Sequence, residues 1–196
     1  MINKDLYNNY INIFLEENSK VNLISKNDEK YLWEKHIFDS LAISNFFEKY
    51  QINPATLLDI GTGGGFPALP IAITYPNIKV TAVDSIGKKI KAVTTISEKL
   101  KLKNINPICT RVENLNGEFD IITSRAVSSL KNISTYALPK LKKDGYFIAY
   151  KSKKAHEEIE DAKQTLKKFN AKIIDIIEYN LPLDEQITRN LIIISK

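Results

Sequence analysis

The hydrophobic pattern of the chain changes character near residue 54. Before that point, apolar residues recur at helical spacing. Leu6, Tyr10, Ile13 and Phe14 fall on one face, because residues three and four apart lie together on a helix. The polar stretch Glu16 to Lys20 interrupts them, and Asn27-Asp28 offers capping groups for a second helix. That helix is expected from about Glu29 to Tyr50. Trp33, Ile37 and Leu41 form its apolar stripe, and His36, Asp39 and Ser40 lie along the neighbouring edge. Asn53-Pro54 ends the section.

From Thr56 the pattern becomes strands alternating with helices. Strands are expected at 56–60, 79–83, 105–109, 119–123, 146–150, 172–177 and 190–194. Helices are expected from the glycine turn through Ala72, from after Asp84 to about Leu102, over Ser129 to Leu141, and over Lys153 to Phe169. Such alternation predicts an α/β fold, a doubly wound and mostly parallel seven-stranded sheet with helices on both faces. No helix separates the last two strands, so they should pair antiparallel. The expected organisation is a helical extension over 1–53 and an α/β domain over 54–196, folded as one unit.

Composition narrows the function classes. At 196 residues, 43% hydrophobic and 26% charged, the chain is ordinary globular protein rather than disordered. Its apolar runs are far short of the ~20 residues of a membrane span. The start, Met1-Ile2-Asn3-Lys4-Asp5, has no apolar signal core. A single cysteine, Cys109, excludes an internal disulfide and is expected in the core of its strand. With only His36 and His156 beside it, no zinc site is expected. These features imply a cytoplasmic protein without a metal or a membrane partner. The net charge of +5 permits a polyanionic partner without requiring one.

Asp59-Ile60-Gly61-Thr62-Gly63-Gly64-Gly65-Phe66-Pro67 carries four of the seven glycines. Glycines at a strand-to-helix turn allow positive φ and let a ligand approach bare backbone. Two cofactor classes use such a turn. Gly63 to Ala68 formally satisfies the dinucleotide pattern. Asp59 to Gly65 satisfies the acid-x-G-x-G-x-G pattern of enzymes that bind S-adenosylmethionine (SAM). A carboxylate there suits the ammonium and sulfonium of SAM and repels a pyrophosphate. Asp84, closing the second strand, can accept from both ribose hydroxyls of either cofactor, or cap the following helix.

Taken together, Asn22-Leu23, His36-x-x-Asp39-Ser40, the glycine turn through Pro70 and Ile73, Asp84-Ser85-x-Gly87-Lys88-Lys89, Arg111-Val112-Glu113 and Ser124-Arg125-Ala126 resemble the RsmG (GidB) family over nearly the whole chain. The resemblance implies a class I methyltransferase sheet with an N-terminal helical section. It implies transfer of methyl from SAM to N7 of one guanine in 16S ribosomal RNA, guanine 527 in the family's usual rRNA numbering. The implied partner is that RNA or the small ribosomal subunit, and the chain is expected to act as a monomer.

By the same resemblance Gly61 and Phe66 line the SAM site, Val112 and Glu113 sit beside the adenine, and Arg125 is a cofactor-site arginine. With Asp59, Gly63, Gly65 and Asp84 they form the expected cofactor set. His36, Asp39, Lys88, Lys89, Arg125 and Lys151 are the expected RNA contacts. No catalytic base is expected. Ala68 stands where the family often has glycine, and Tyr150-Lys151-Ser152 replaces its more usual Leu-Lys-Gly. Plainer roles stay open: Glu113 as a solvated acid, His36 with Asp39 as a surface pair, Arg111 in a weak surface salt bridge, and the lysines at 88, 89 and 91 as a solvated helix face. Two other function classes also stay open: a SAM-dependent methyltransferase with another substrate, and a NAD-binding oxidoreductase.

Overall fold

The computed structural model describes residues 4–152 and 155–196. A 3-10 turn, Lys4–Tyr7, leads into α1, Asn8–Val21. The long second helix expected from the sequence is instead broken into pieces. Ser25, not Asn27 or Asp28, caps the short α2, Lys26–Glu29, its Oγ accepting from the Asp28 amide. A π-helical stretch, Leu32–Phe38, follows, and then α3, Asp39–Leu41, and α4, Ile43–Tyr50. The wider π winding is a frequent feature of functional sites. Here it coincides with a side chain from elsewhere reaching the Lys35 carbonyl.

The strands are β1, Thr56–Ile60; β2, Lys79–Asp84; β3, Ile105–Cys109; β4, Phe119–Arg125; β5, Leu141–Lys151; β6, Lys172–Asn180; and β7, Thr188–Ser195. The helices between them are α5, Ala68–Thr74; α6, Gly87–Lys99; α7, Leu130–Ala137; and α8, Ala155–Lys168. The expected start of the last helix, Lys153, lies outside the described residues. The sheet order is β3-β2-β1-β4-β5-β7-β6. The first five are parallel, and β7 runs antiparallel between β5 and β6. Strand order reverses between β1 and β4, so the carboxyl ends of these strands diverge and leave a crevice, the usual ligand position of an open α/β sheet.

Successive strand residues point to opposite faces. Leu58, Ile122, Phe147 and Ile192 therefore pack against α7 and α8 through Leu130, Ile133, Ala162 and Leu166. Leu57, Ile121, Ile148 and Ile193 pack the other way, against Ile43, Phe46 and Ile71 of α4 and α5. A third cluster joins Tyr7, Tyr10 and Phe14 to Phe66, Leu69, Val93 and Ile96. The first fifty residues thus share their core with the α/β sheet. Cys109 corrects the sequence reading: it is an exposed free thiol. Its strand is at the sheet edge, where one side has no neighbour to cover it.

Candidate active site

The chain leaves β1 into a turn in which Gly61, Gly63 and Gly65 all have positive φ, at 71°, 56° and 89°. The turn is tied to the end of β2. The Gly61 and Thr62 amides donate to the Val83 carbonyl at 2.8 and 2.9 Å, and the Gly63 amide donates to Asp84 Oδ2 at 2.9 Å. Asp84 Oδ1 accepts from the Ile86 amide at 2.9 Å. So Asp84 holds the glycine turn and the chain leaving β2, while Ile86 stands at the N-cap of α6 and no side chain caps that helix. Each oxygen keeps a further lone pair for a ligand.

A cavity of about 890 Å³ opens in front of this turn. Gly61, Gly63, Phe66, Asp84, Val112, Glu113 and Arg125 line it, as do His36 and Lys89. Val112 is buried and Glu113 exposed, on a 3-10 turn, Val112–Asn114. Of the expected cofactor residues, Asp59 and Gly65 do not line the cavity. A Cβ on Gly65 would lie 2.8 Å from Leu69 Cγ, so this glycine lets α5 close against the turn. A Cβ on Gly61 would run into the Val127 side chain.

Asp59 is fully buried at the root of the turn. Its Oδ1 accepts from Thr123 Oγ1 at 2.9 Å, and its Oδ2 has no donor. Burial pushes its carboxyl up to about 6, against the opposing pull of the Thr62 and Thr123 hydroxyls, the Arg125 charge and the Ala68 amide.

Arg125 ends β4, and its guanidinium is committed within the chain. Nη1 donates to Asp39 Oδ2 at 2.8 Å and to the Lys35 carbonyl at 3.1 Å. Nη2 lies 3.0 Å from His36 Nδ1, and the group sits 5.2 Å from the centre of the Phe66 ring. His36 and Asp39, for which a mutual surface pair stayed open beside the expected RNA contact, both turn to Arg125. A guanidinium only donates, so His36 Nδ1 is the acceptor and Nε2 carries the hydrogen. Burial and the Arg125 charge hold His36 down at about 4, so the ring is neutral at physiological pH. Asp39 also accepts from Tyr179 Oη at 2.7 Å. No local sequence pattern marks Tyr179, which is 140 positions from Asp39.

A second cleft of about 680 Å³ adjoins the first. His36, Arg125, Ala126, Val127 and Ser128 line both. Asp39 and Lys151 line only the second. Lys151 pairs with Glu158 at 2.7 Å and donates to the Ser128 carbonyl at 2.7 Å. Lys88 is exposed on α6 and lines neither. Lys153 and Lys154, which extend the basic run after β5 in sequence, lie outside the described residues. Sequence reasoning also missed the exposed apolar side chains Ile86, Val127 and Tyr136, which rim the first cavity. Single exposed apolar residues carry no signal until the fold gathers them.

Among the described residues, no group of three or more His, Cys, Asp or Glu could hold a metal ion. Among them, too, no helix is long and apolar enough to cross a membrane.

A seven-stranded sheet of this order, with a glycine turn after β1 and an acid ending β2, defines the Rossmann-like class I methyltransferase fold. Solved structures agree. Precorrin-6y C5,15-methyltransferase from Geobacter metallireducens superposes at a TM-score of 0.60, with 13% identity over 78% of this chain and 86% of that one. TYW2 of M. jannaschii, in complex with AdoMet, superposes at 0.59, with 19% identity over 74% of this chain and 69% of that one. Residues 3–187 match the family GidB, rRNA small subunit methyltransferase G. The ribosomal RNA small subunit methyltransferase G of Staphylococcus saprophyticus is 38% identical over 97% of this chain and 80% of its own. The chain belongs to the rRNA small subunit methyltransferase G family and is an rRNA methyltransferase.

Proposed function

We propose that the protein transfers the methyl group of SAM to N7 of a guanine in 16S rRNA, the position numbered 527 in the family's usual scheme. We place it in the cytoplasm as a monomer, acting on the small subunit or its RNA. The observation that carries the cofactor reading is Asp59. Fully buried behind the turn and outside the cavity lining, it acts through its charge, which favours a cation at the glycine turn and opposes a pyrophosphate there. When bound, SAM supplies an electrophilic methyl group on a sulfonium.

The chain's own residues would then work as follows. The bare backbone of Gly61 and Gly63 admits the cofactor closely. Asp84, fixed by two amides, accepts from the ribose hydroxyls. Val112 and Glu113 flank the adenine. Lys88, outside the pocket, and Lys89, on its lining, contact RNA phosphates. Lys151 braces the 126–129 loop through the Ser128 carbonyl.

Guanine N7 offers a free lone pair and carries no proton, so no general base is required. The enzyme's main contribution is orientation of the two reactants. Methyl transfer moves positive charge onto the purine, and a free cation beside it would oppose the reaction. The sequence suggests that an anion on the cofactor or the RNA takes up the Arg125 charge. In the structure Asp39 takes it up, so Arg125 shapes the site without opposing that charge.

Calorimetry with SAM and with NAD tests the cofactor assignment. SAM binding with little NAD binding supports it, and NAD binding more tightly than SAM refutes it.

A further inference from the structure

The second cleft holds a charge imbalance that the cofactor reading does not use. Three of its four cations already have partners: Lys35 with Asp28 at 2.9 Å, Arg125 with Asp39 at 2.8 Å, and Lys151 with Glu158 at 2.7 Å. The fourth, Arg189, near the start of β7, has neither an ion pair nor a side-chain hydrogen bond among the described residues. Its register partner across the hairpin is Tyr179, whose hydroxyl holds Asp39. The strand pair therefore anchors Arg189 to the same network that fixes Arg125. A partly buried guanidinium without a counter-ion lacks the partner that a planar fork is suited to hold, a phosphate or carboxylate.

The two clefts share an edge. It consists of His36 and the Arg125 to Ser128 segment, which face both sides. Ala126 in this segment has a left-handed φ of 55°, and Val127 stands over Gly61. Methyl transfer needs the reacting atoms in direct contact, so a donor in the first cavity and an acceptor base in the second would meet at this shared edge.

We infer that the second cleft seats the acceptor nucleotide, with Arg189 holding a phosphate of that nucleotide or of its immediate neighbour. This rests on RNA being the substrate, as proposed above. Because the three acids are already neutralised, the cleft presents one net positive charge to the incoming strand. That charge comes from the far end of the chain, on the opposite side of the acceptor from α6.

Methyl transfer to unmodified small ribosomal subunits at saturating SAM tests the inference, using Arg189→Ala and Arg189→Lys. Arg189→Ala should raise KM for the subunits roughly ten- to hundredfold, as for loss of a hydrogen bond to a charged group. SAM affinity by calorimetry and kcat should be unchanged. Arg189→Lys should recover part of the loss, because charge without the fork still attracts a phosphate. The slope of log affinity for the subunits against log salt should fall by about one in Arg189→Ala and be kept in Arg189→Lys. A purely structural role would move neither the slope nor the lysine rescue. Transfer by Arg189→Ala with unchanged KM and slope overturns this assignment alone. No transfer to subunits by the unaltered protein overturns the RNA reading and this assignment with it.

Discussion

Arg125 Nη1 and Asp39 Oδ2 lie 2.8 Å apart, joining the end of β4 to the broken helical section 86 positions earlier. Both side chains are largely buried, at 15% and 6% exposure. Arg125 lies on the edge that the two clefts share, and Asp39 cancels its charge there.

Removing one partner leaves the other charge stranded. Asp39→Ala should cost about 3 kcal/mol of stability, at the lower end for a broken buried pair because Arg125 keeps some water contact. Denaturant unfolding measures it. Arg125→Lys should not restore the wild-type value, because one ammonium cannot span Asp39, the Lys35 carbonyl and His36 as the planar group does. Equal stability of wild type and Asp39→Ala would show that the pair contributes nothing.

Gly61 and Gly63 share positive φ but not their surroundings. A side chain at Gly61 meets Val127, whereas the nearest atom to a Cβ at Gly63 is the Gly61 carbonyl oxygen at 3.9 Å. Gly61→Val should abolish SAM binding in calorimetry. Gly63→Ala should retain measurable binding and lose about 1 kcal/mol of stability from its left-handed backbone. The reverse order of effect on SAM binding would contradict the assigned approach path.

Asp84→Ala should weaken SAM binding by about 1.5–3 kcal/mol, the range for a hydrogen bond to a charged group. Part of that loss comes through the glycine turn, since the Gly63 and Ile86 amides lose their acceptor. Asp84→Asn, which keeps one acceptor oxygen, should fall between wild type and Asp84→Ala in the same titration.

Two buried groups give opposite pH dependences. His36 is held at about 4 in the fold, against roughly 6.5 in an unfolded chain. Between these values the unfolded chain binds the extra proton, so the His36 contribution is lost on acidification from pH 6.5 to 4. Asp59 is held up at about 6, against roughly 3.9 unfolded. Here the folded chain binds the extra proton, so stability falls as pH rises from about 4 to 6. Asp59→Asn should therefore gain on wild type with rising pH, by about 3 kcal/mol at pH 7, while losing SAM affinity. Unfolding of wild type, His36→Gln and Asp59→Asn across pH 4 to 8 separates the two.

The parallel strands and the glycine turn were legible because each is a local pattern: apolar runs for β1 and β2, and four glycines in five positions. The helix expected over Glu29 to Tyr50 failed at its interior. Trp33, Ile37 and Leu41 have regular spacing, and the π winding at Leu32–Phe38 leaves no mark in hydrophobic period. Cys109 was misplaced because a strand's position in the sheet, edge or centre, is not written in its own residues. Asp59, Asp84 and Arg125 were legible as strand-end residues, but the partners of Arg125 were not. Tyr179 and Arg189 reach the site only because β6 and β7 fold back beside β5, a tertiary fact with no local signature.

Methyl transfer from SAM to guanine N7 would need no catalytic base. Single-turnover transfer of labelled methyl to unmodified small subunits, followed across neutral pH with the modified base mapped, tests it most directly. Label should appear on N7 of one guanine in 16S rRNA, with a nearly flat rate above the His36 transition. Label on a different atom, or a tenfold rise in rate per pH unit that His36→Gln or Glu113→Gln abolishes, would contradict it.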